Sequence, residues 1–109
     1  MPLQVDIKKE KEVLTVYLSG DLDINTNKEF KENVNSNLED VKKITVDCEN
    51  LSYVDSTGLG AFISIYKTVK EKKEKDPSVE ESILIKNLKP HIKKIFLITD
   101  LDKVFTIEE

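Results

Sequence analysis

The sequence contains no arginine, since all 17 of its cationic side chains are lysine. Arginine is the residue that holds a phosphate or carboxylate with two parallel hydrogen bonds, and it also serves enzymes as an arginine finger. Its absence argues against a phosphate-handling enzyme. The formal net charge of −4 argues against a protein that binds nucleic acid directly, because such proteins neutralise phosphates with a basic surface.

Cysteine and histidine occur once each, as Cys48 and His91. A single cysteine cannot form an internal disulfide, and the strand-like surroundings of Cys48 predict a small, buried apolar residue. His91 lies among lysines near the start of a predicted helix, so we interpret it as a surface residue. Because one cysteine and one histidine do not make a ligand cluster, the sequence predicts no metal site.

Long apolar segments are missing as well. Residues 1–6 contain no basic segment followed by an apolar run, so no signal peptide is predicted. No stretch approaches the roughly 18–20 apolar residues that cross a bilayer. We therefore expect a cytoplasmic protein that does not enter a membrane. The length of 109 residues predicts a single domain over residues 1–109.

Five short segments have the composition of β-strands, with β-branched or alternating apolar residues. They are residues 4–8, 13–18, 43–48, 82–86 and 104–107. The charged residues 8–12 are typical of a hairpin turn between the first two strands. The third strand is predicted to be central, because a predicted helix precedes it and another follows it.

Three helices are predicted between these strands. The first begins at Thr26, which has Glu29 at the spacing of a capping box, and it continues to about residue 37 with Phe30, Val34 and Leu38 on one apolar face. The second runs from residue 59 to residue 69 and ends in the charged segment 70–75. Its predicted core stripe consists of Leu59, Phe62, Ile63, Tyr66 and Val69.

The third helix opens at Pro90 and has Ile92, Ile95, Phe96 and Thr99 on its predicted inner face. Strands that alternate with helices indicate an α/β fold. The prediction is a mixed, largely parallel sheet of four or five strands, with an antiparallel hairpin at the N-terminus and three or four helices.

The most informative stretch is residues 51–60, Leu-Ser-Tyr-Val-Asp-Ser-Thr-Gly-Leu-Gly, which joins the third strand to the second helix. Its small residues favour a tight turn into the helix and predict Ser56 or Thr57 at the N-cap. The helix start offers free backbone N–H groups and the positive end of the helix dipole, where a phosphate is well tolerated. The simpler alternative is that Ser56 only caps the helix.

The motif Asp-Ser-Thr-Gly-Leu-Gly at residues 55–60, after Leu-Ser-Tyr-Val, is similar to the signature of the STAS family, and specifically of the small bacterial anti-sigma factor antagonists. Those proteins also carry a Gly-acid-Leu-Asp turn upstream, matched here by Gly-Asp-Leu-Asp at residues 20–23. The resemblance covers nearly the whole chain and implies the same α/β arrangement.

The resemblance implies a phosphorylation site at Ser56 and a partner that is both a serine kinase and an anti-sigma factor. Unmodified protein would bind this partner and free the sigma factor, and a phosphatase acting on Ser56 would reverse the modification. No cofactor is implied, because the partner uses the ATP. The partner-binding residues implied by the match are Asp21, Asp23, Asp55, Ser56, Thr57, Gly58 and Leu59.

Some of these residues have structural interpretations too. Asp21 and Asp23 could bond backbone N–H groups of their turn, and Asp55 could either orient Ser56 or cap the helix. Gly58 and Gly60 are interpreted as sites of close backbone packing. The periodicity of Leu59 favours burial.

The sequence offers less support for other functions. Ser56, Asp76 and His91 occur in the chain order of an α/β-hydrolase triad, but Val54 stands where a nucleophile elbow needs glycine. No phosphate-binding loop follows a strand. We therefore predict that the protein is not an enzyme. The alternatives are a STAS subunit of a different assembly, such as a stress-signalling scaffold or a membrane lipid-transport complex, and a nucleotide-binding module.

Overall fold

The computed structural model describes residues 2–108, so the two end positions of the predicted domain, Met1 and Glu109, lie outside the described residues. Along the chain the elements are β1 (Gln4–Glu10), β2 (Val13–Leu22), α1 (Asn27–Asn35), β3 (Lys43–Val54), α2 (Ser56–Lys75), β4 (Leu84–Lys86), α3 (Pro90–Ile98), a short 3-10 helix (Leu101–Lys103) and β5 (Thr106–Ile107).

The five strands form one sheet in the order β1-β2-β3-β4-β5, with β3 at its centre. β1 and β2 are antiparallel, and every other neighbouring pair is parallel. Each parallel connection passes through a helix, as parallel strands require. The predicted mixed sheet, its N-terminal hairpin and the central place of the third strand are confirmed.

β2 and β3 are both longer than the sequence predicts, because two bulges in β3 interrupt the alternating pattern by which a strand is recognised. In its pairing with β2 the register shifts twice, once between Tyr17 and Ser19 and once between Gly20 and Asp21, with one extra residue of β3 at each shift. Such bulges break the alternation of apolar and polar residues that marks a strand in a sequence. β3 therefore continues past Cys48 to Val54 and delivers the chain directly to α2.

The helices cover one face of the sheet. Alternate residues of β2, including Leu14, Val16 and Leu18, are buried on that face, whereas Tyr17 on the opposite face is exposed. Phe62 of α2 lies at the centre of the core, where its ring packs edge-to-face against three others. The ring centroids lie 5.1 Å from Phe30, 5.4 Å from Phe96 and 5.9 Å from Phe105. These contacts join all three helices to the C-terminal segment.

The predicted core stripe of α2 is confirmed at Phe62 and Val69, whereas its other three members lie beside the buried face. The buried residues are Gly58, Ala61, Phe62, Ile65 and Val69. The remaining predicted members, Leu59, Ile63 and Tyr66, are only partly buried at the edge of the core. Both sets have helical spacing, and the small side chains of the first turn let the helix approach the sheet on their side. The predicted lysine-rich helix end at residues 70–75 is confirmed.

The other helices agree with their predicted faces in part. Phe30 and Val34 are buried in α1, but Leu38 is buried beyond the end of that helix. In α3, Ile92 and Phe96 are buried while Thr99 is exposed. Among residues 2–108, no helix has both the length and the apolar composition needed to cross a membrane.

Candidate functional site

The residues singled out in the sequence come together at the carboxyl ends of β2 and β3. β3 ends at Val54, Asp55 makes the connection, and α2 begins at Ser56. The Asp55 N–H donates to the carbonyl of Leu22, the last residue of β2, with 3.2 Å between the atoms. The loop that follows β2 therefore lies against the first turn of α2, and the two predicted motifs form one surface.

Asp55 is the N-cap of α2. Its Oδ1 accepts hydrogen bonds from the Thr57 hydroxyl at 2.6 Å and from the Gly58 N–H at 2.9 Å. Its Oδ2 accepts a third from the Ile24 N–H at 3.2 Å. The Thr57 hydrogen bond first, and the Gly58 hydrogen bond next, lower the pKa of the Asp55 carboxyl below its usual value. Asp55 thus caps the helix, and the prediction that Ser56 or Thr57 occupies the N-cap is wrong.

Ser56 and Thr57 differ in what their hydroxyls do. Ser56 is the first residue of α2 and is exposed, and its hydroxyl makes no hydrogen bond to any residue in the described range 2–108. The Thr57 hydroxyl is partly buried and donates to Asp55. Of the two neighbouring hydroxyls, only that of Ser56 is available to another protein.

The loop after β2 is fixed by its own hydrogen bonds. Asp23 Oδ1 accepts from the Asn25 N–H at 2.9 Å, which confirms the predicted turn role of that side chain. The Thr26 hydroxyl donates to the Asp21 carbonyl at 2.8 Å and accepts from the Asp23 N–H at 2.9 Å. Thr26 is therefore occupied on its own loop, and the predicted capping box with Glu29 does not form.

The start of this loop depends on Gly20. Its φ of +100° is left-handed, and a Cβ there would lie 2.2 Å from the Pro2 carbonyl oxygen. The next residue, Asp21, is half-buried and pairs in register with Tyr53 of β3. Gly20 therefore permits the backbone conformation that leads β2 past Pro2 to Asp21, beside β3.

The glycines of α2 have different roles. A Cβ on Gly58 would lie 2.5 Å from the Leu22 carbonyl oxygen, so its predicted role in close packing is confirmed. Gly60 has open space where its Cβ would stand, and the same prediction for Gly60 is wrong. Leu59 is partly buried against the core, so the burial that its periodicity favours is confirmed only in part.

The sequence patterns do not predict two exposed apolar residues of this surface. Ile24 lies at the turn of the β2–α1 loop, and Tyr53 lies near the end of β3. Neither belongs to a helical or alternating pattern, and periodicity therefore says nothing about them. The available signal in the sequence is that Ile24 is the one apolar residue in the segment 23–27. Without apolar neighbours in the segment, nothing in the local pattern indicates that this side chain is buried.

The hydrolase triad does not assemble. Ser56 opens α2 and Asp76 follows its last residue, and a helix of 20 residues separates two such positions by about 30 Å. His91 is exposed, as predicted, and its Nε2 lies 2.9 Å from the Ser52 carbonyl oxygen. Cys48 is fully buried, and burial raises the pKa of its thiol. No group of three or more metal-ligating side chains occurs among residues 2–108.

Known proteins resemble this chain over almost its whole length. The sequence pattern of the family described as STAS domain matches residues 4–109. An anti-sigma-B factor antagonist of Bacillus subtilis is 27% identical over 107 residues, covering 98% of this chain and 92% of the relative. An anti-sigma-B factor antagonist of Staphylococcus aureus is 28% identical over 110 residues, covering 100% of this chain and 95% of the relative.

Solved structures with the same fold include an anti-sigma factor antagonist from Mycobacterium paratuberculosis, with a TM-score of 0.80, 18% identity, and coverage of 96% of this chain and 84% of that one. The antagonist SpoIIAA in its unphosphorylated form matches with a TM-score of 0.71, 17% identity, and coverage of 98% and 87%. Bacillus SpoIIAA in its phosphorylated form matches with a TM-score of 0.69, 18% identity, and coverage of 98% and 91%.

Proposed function

The chain belongs to the STAS domain family, and from this premise we propose that it is an anti-sigma factor antagonist. The unphosphorylated protein binds a serine kinase that doubles as an anti-sigma factor, and this binding frees the sigma factor. Phosphorylation of Ser56 ends the binding, and a phosphatase restores it. The names of the Bacillus subtilis and Staphylococcus aureus relatives, which match almost the whole chain, support this assignment.

The observation that carries the proposal is the difference between Ser56 and Thr57. A kinase needs a substrate hydroxyl that is exposed and can enter the kinase active site. The Ser56 hydroxyl is exposed, whereas the Thr57 hydroxyl is held by Asp55 at 2.6 Å. The Asp55 carboxylate binds Thr57, Gly58 and Ile24 and makes no hydrogen bond to the Ser56 hydroxyl. In this proposal the kinase supplies the catalytic base.

A phosphate on Ser56 would act at the surface rather than on the fold. It adds about −1.5 to −2 charge near the carboxylates of Asp21, Asp23 and Asp55, while the N-terminus of α2 tolerates an anion. A kinase brings the terminal phosphate of its nucleotide to Ser56, so a phosphate already there would meet both crowding and like charge. SpoIIAA has this fold in its unphosphorylated and phosphorylated forms, which supports a switch without refolding.

In this proposal the chain is a binding module and a kinase substrate, and it needs no cofactor of its own. Its place of action is the cytoplasm, where sigma factors and RNA polymerase operate. It contacts neither nucleic acid nor membrane itself, and its effect on transcription is carried by the partner that it occupies.

The test is affinity capture from lysate of the source organism with wild type, Ser56→Ala, Ser56→Asn and Ser56→Asp as baits. The asparagine variant controls for side-chain size, because it matches aspartate without the charge. Mass spectrometry should identify a histidine-kinase-like ATPase with the first three baits and not with Ser56→Asp. The purified ATPase should then phosphorylate wild type and Thr57→Val, but not Ser56→Ala.

Two results would overturn the proposal. If all four baits retain the same non-kinase assembly, Ser56 does not control binding, and the chain is a STAS subunit of that assembly. If the isolated kinase binds Ser56→Asp as tightly as Ser56→Asn, charge at Ser56 is not the switch.

A further inference from the structure

Ile24 is an apolar side chain held in water by a rigid backbone. The isoleucine is 69% exposed. Its N–H donates to Asp55 Oδ2 at 3.2 Å, and its carbonyl accepts from Asn27 Nδ2 at 3.0 Å. Both backbone groups of Ile24 are therefore fixed while the side chain contacts solvent. Burial of such a side chain by a partner would gain hydrophobic free energy.

Tyr53 adds a second exposed apolar side chain to the same region. It is 51% exposed and lies two residues before the Asp55 carboxylate that binds Ile24. Its neighbour in the sheet register is Asp21. A tyrosine on a strand gives a large contact area with few rotatable bonds, which is why tyrosine is enriched among the residues that dominate binding energy.

The charged side chains in the two segments that carry Ile24 and Tyr53 are all acidic. Residues 20–27 and 51–60, which form this surface, contain the carboxylates of Asp21, Asp23 and Asp55 and no lysine, although the chain has 17 lysines. Asp55 is ionised at neutral pH, as aspartates ordinarily are, and its hydrogen bonds lower its pKa further. A complementary partner would therefore be basic where it faces the carboxylates.

We propose that Ile24 and Tyr53 are the apolar anchors of the partner-binding surface, and that the partner offers them an apolar pocket with a basic rim facing Asp21 and Asp23. This inference rests on the proposed function, because the partner is the serine kinase whose nucleotide reaches Ser56. Ile24 is hydrogen-bonded to the Asp55 cap through its N–H, and Tyr53 precedes that cap by two residues. Seating them brings Ser56 to the kinase active site without any rearrangement of this chain.

The preorganised loop explains how a small surface can bind well. Association normally costs free energy for the ordering of loops and side chains at the interface. Here the loop is ordered already, by bonds among Asp23, Asn25, Thr26 and Asn27 and by the bond from Ile24 to Asp55. The binding free energy of the anchors is therefore not spent on folding the loop.

The chain contains matched controls for both anchors. Ile98 is 71% exposed and is the last residue of α3. The first turn of α3 lies near the proposed surface, since His91 contacts the Ser52 carbonyl. Ile98 is about 10 Å from His91 along the helix axis. Tyr17 is 40% exposed and lies on β2, four residues before Asp21, or about 13 Å along the strand. Truncating these residues removes comparable apolar area away from the proposed surface.

The experiment is calorimetric titration of the purified cognate kinase, loaded with ADP, with wild type, Ile24→Ala, Tyr53→Ala, Ile98→Ala and Tyr17→Ala. Ile24→Ala and Tyr53→Ala should each weaken the Kd at least about tenfold, while the two controls stay within about twofold. The melting temperature of each anchor variant is compared with that of its matched control, because both tyrosines lie on strands, where alanine has a lower β propensity. Binding by wild type should also weaken at high salt, because the rim is charged.

The outcomes separate this inference from the proposed function. If wild type binds the kinase and Ile24→Ala binds as tightly as Ile98→Ala, the anchor assignment is wrong and the proposed function stands. If wild type binds with no dependence on salt, the basic rim is wrong. If wild type neither binds nor is phosphorylated at Ser56 by the kinase, the proposed function fails and the anchor assignment fails with it.

Discussion

The carbonyl oxygen of Leu22 lies 2.5 Å from the point where Gly58 would carry a Cβ. This contact brings the end of β2 against the first turn of α2, and it sets the distance between the acidic loop and Ser56. Any residue larger than glycine must displace backbone there, because the close atom belongs to the main chain. The geometry of the candidate site therefore depends on glycine at position 58, which has no side chain to push the loop away.

Replacing Gly58 with alanine should destabilise the protein by about 1–3 kcal/mol, the usual cost of forcing an extra methyl group into a packed site. The matched control is Gly60→Ala. Gly60 lies two residues along the same helix with open space around the new Cβ, so its replacement should stabilise by up to about 1 kcal/mol through helix propensity. Urea denaturation of both variants measures the difference, and equal free energies of unfolding would contradict the contact.

Asp55→Ala should lower the melting temperature and loosen the loop, because it removes the acceptor for Thr57, Gly58 and Ile24 together. The pKa of Asp55 is lowered in the folded state, so its stabilising effect is complete above the unfolded pKa of about 3.9. The effect is lost as the pH falls from there through the lowered folded pKa. The stability difference between wild type and variant should therefore be constant near neutral pH and shrink in acid.

Hydrogen exchange provides the local measurement for Asp55. The Ile24 amide should exchange faster in Asp55→Ala than in wild type, since Asp55 is its acceptor. Asp102→Ala, which removes an exposed carboxylate from the 3-10 helix, is the control at neutral pH and should leave that amide unchanged. An Ile24 amide that exchanges at the same rate in all three proteins would show that Asp55 does not hold the loop.

The strands, helices and their order could be predicted from the sequence because hydrophobic periodicity reflects burial against a sheet. The same rule failed in places where two patterns overlap. In α2, Leu59 and Ile63 are four residues apart and Gly58 and Ala61 are three apart, and both spacings place a pair on one helix face, so only the packing of the small residues decides which pair faces the core. In β3, each extra residue reverses the alternation, so the strand beyond Cys48 resembles a loop.

The candidate site was predictable as a pair of motifs but not as a geometry. Asp55, Ser56 and Thr57 are all good N-cap residues, and because aspartate and serine are preferred about equally, sequence preference alone does not select Asp55. The long reach of Asp55 to Ile24, 31 positions earlier in the chain, depends on how β2 and β3 end side by side. The exposure of Ile24 and Tyr53 is likewise a tertiary property with no periodic signature.

Cys48 should behave as an inert thiol in the native protein. It is fully buried, and burial raises the pKa of the thiol, so the reactive thiolate is scarce even in mild alkali. Dithionitrobenzoate should therefore react at the rate at which the chain unfolds, and immediately in guanidinium chloride. Cys48→Ala gives the blank. Rapid stoichiometric reaction of the folded protein would contradict the burial.

The final prediction separates the effect of charge at Ser56 on binding from its effect on folding. Ser56 is the first residue of α2, where an acidic side chain interacts favourably with the helix dipole by about 0.3–1 kcal/mol, and the neighbouring Asp55 carboxylate opposes this gain. Ser56→Asp should therefore unfold within about 1 kcal/mol of Ser56→Asn while losing the kinase. If Ser56→Asp were instead markedly less stable, its loss of binding would follow from partial unfolding. The surface switch would then have no support from that variant.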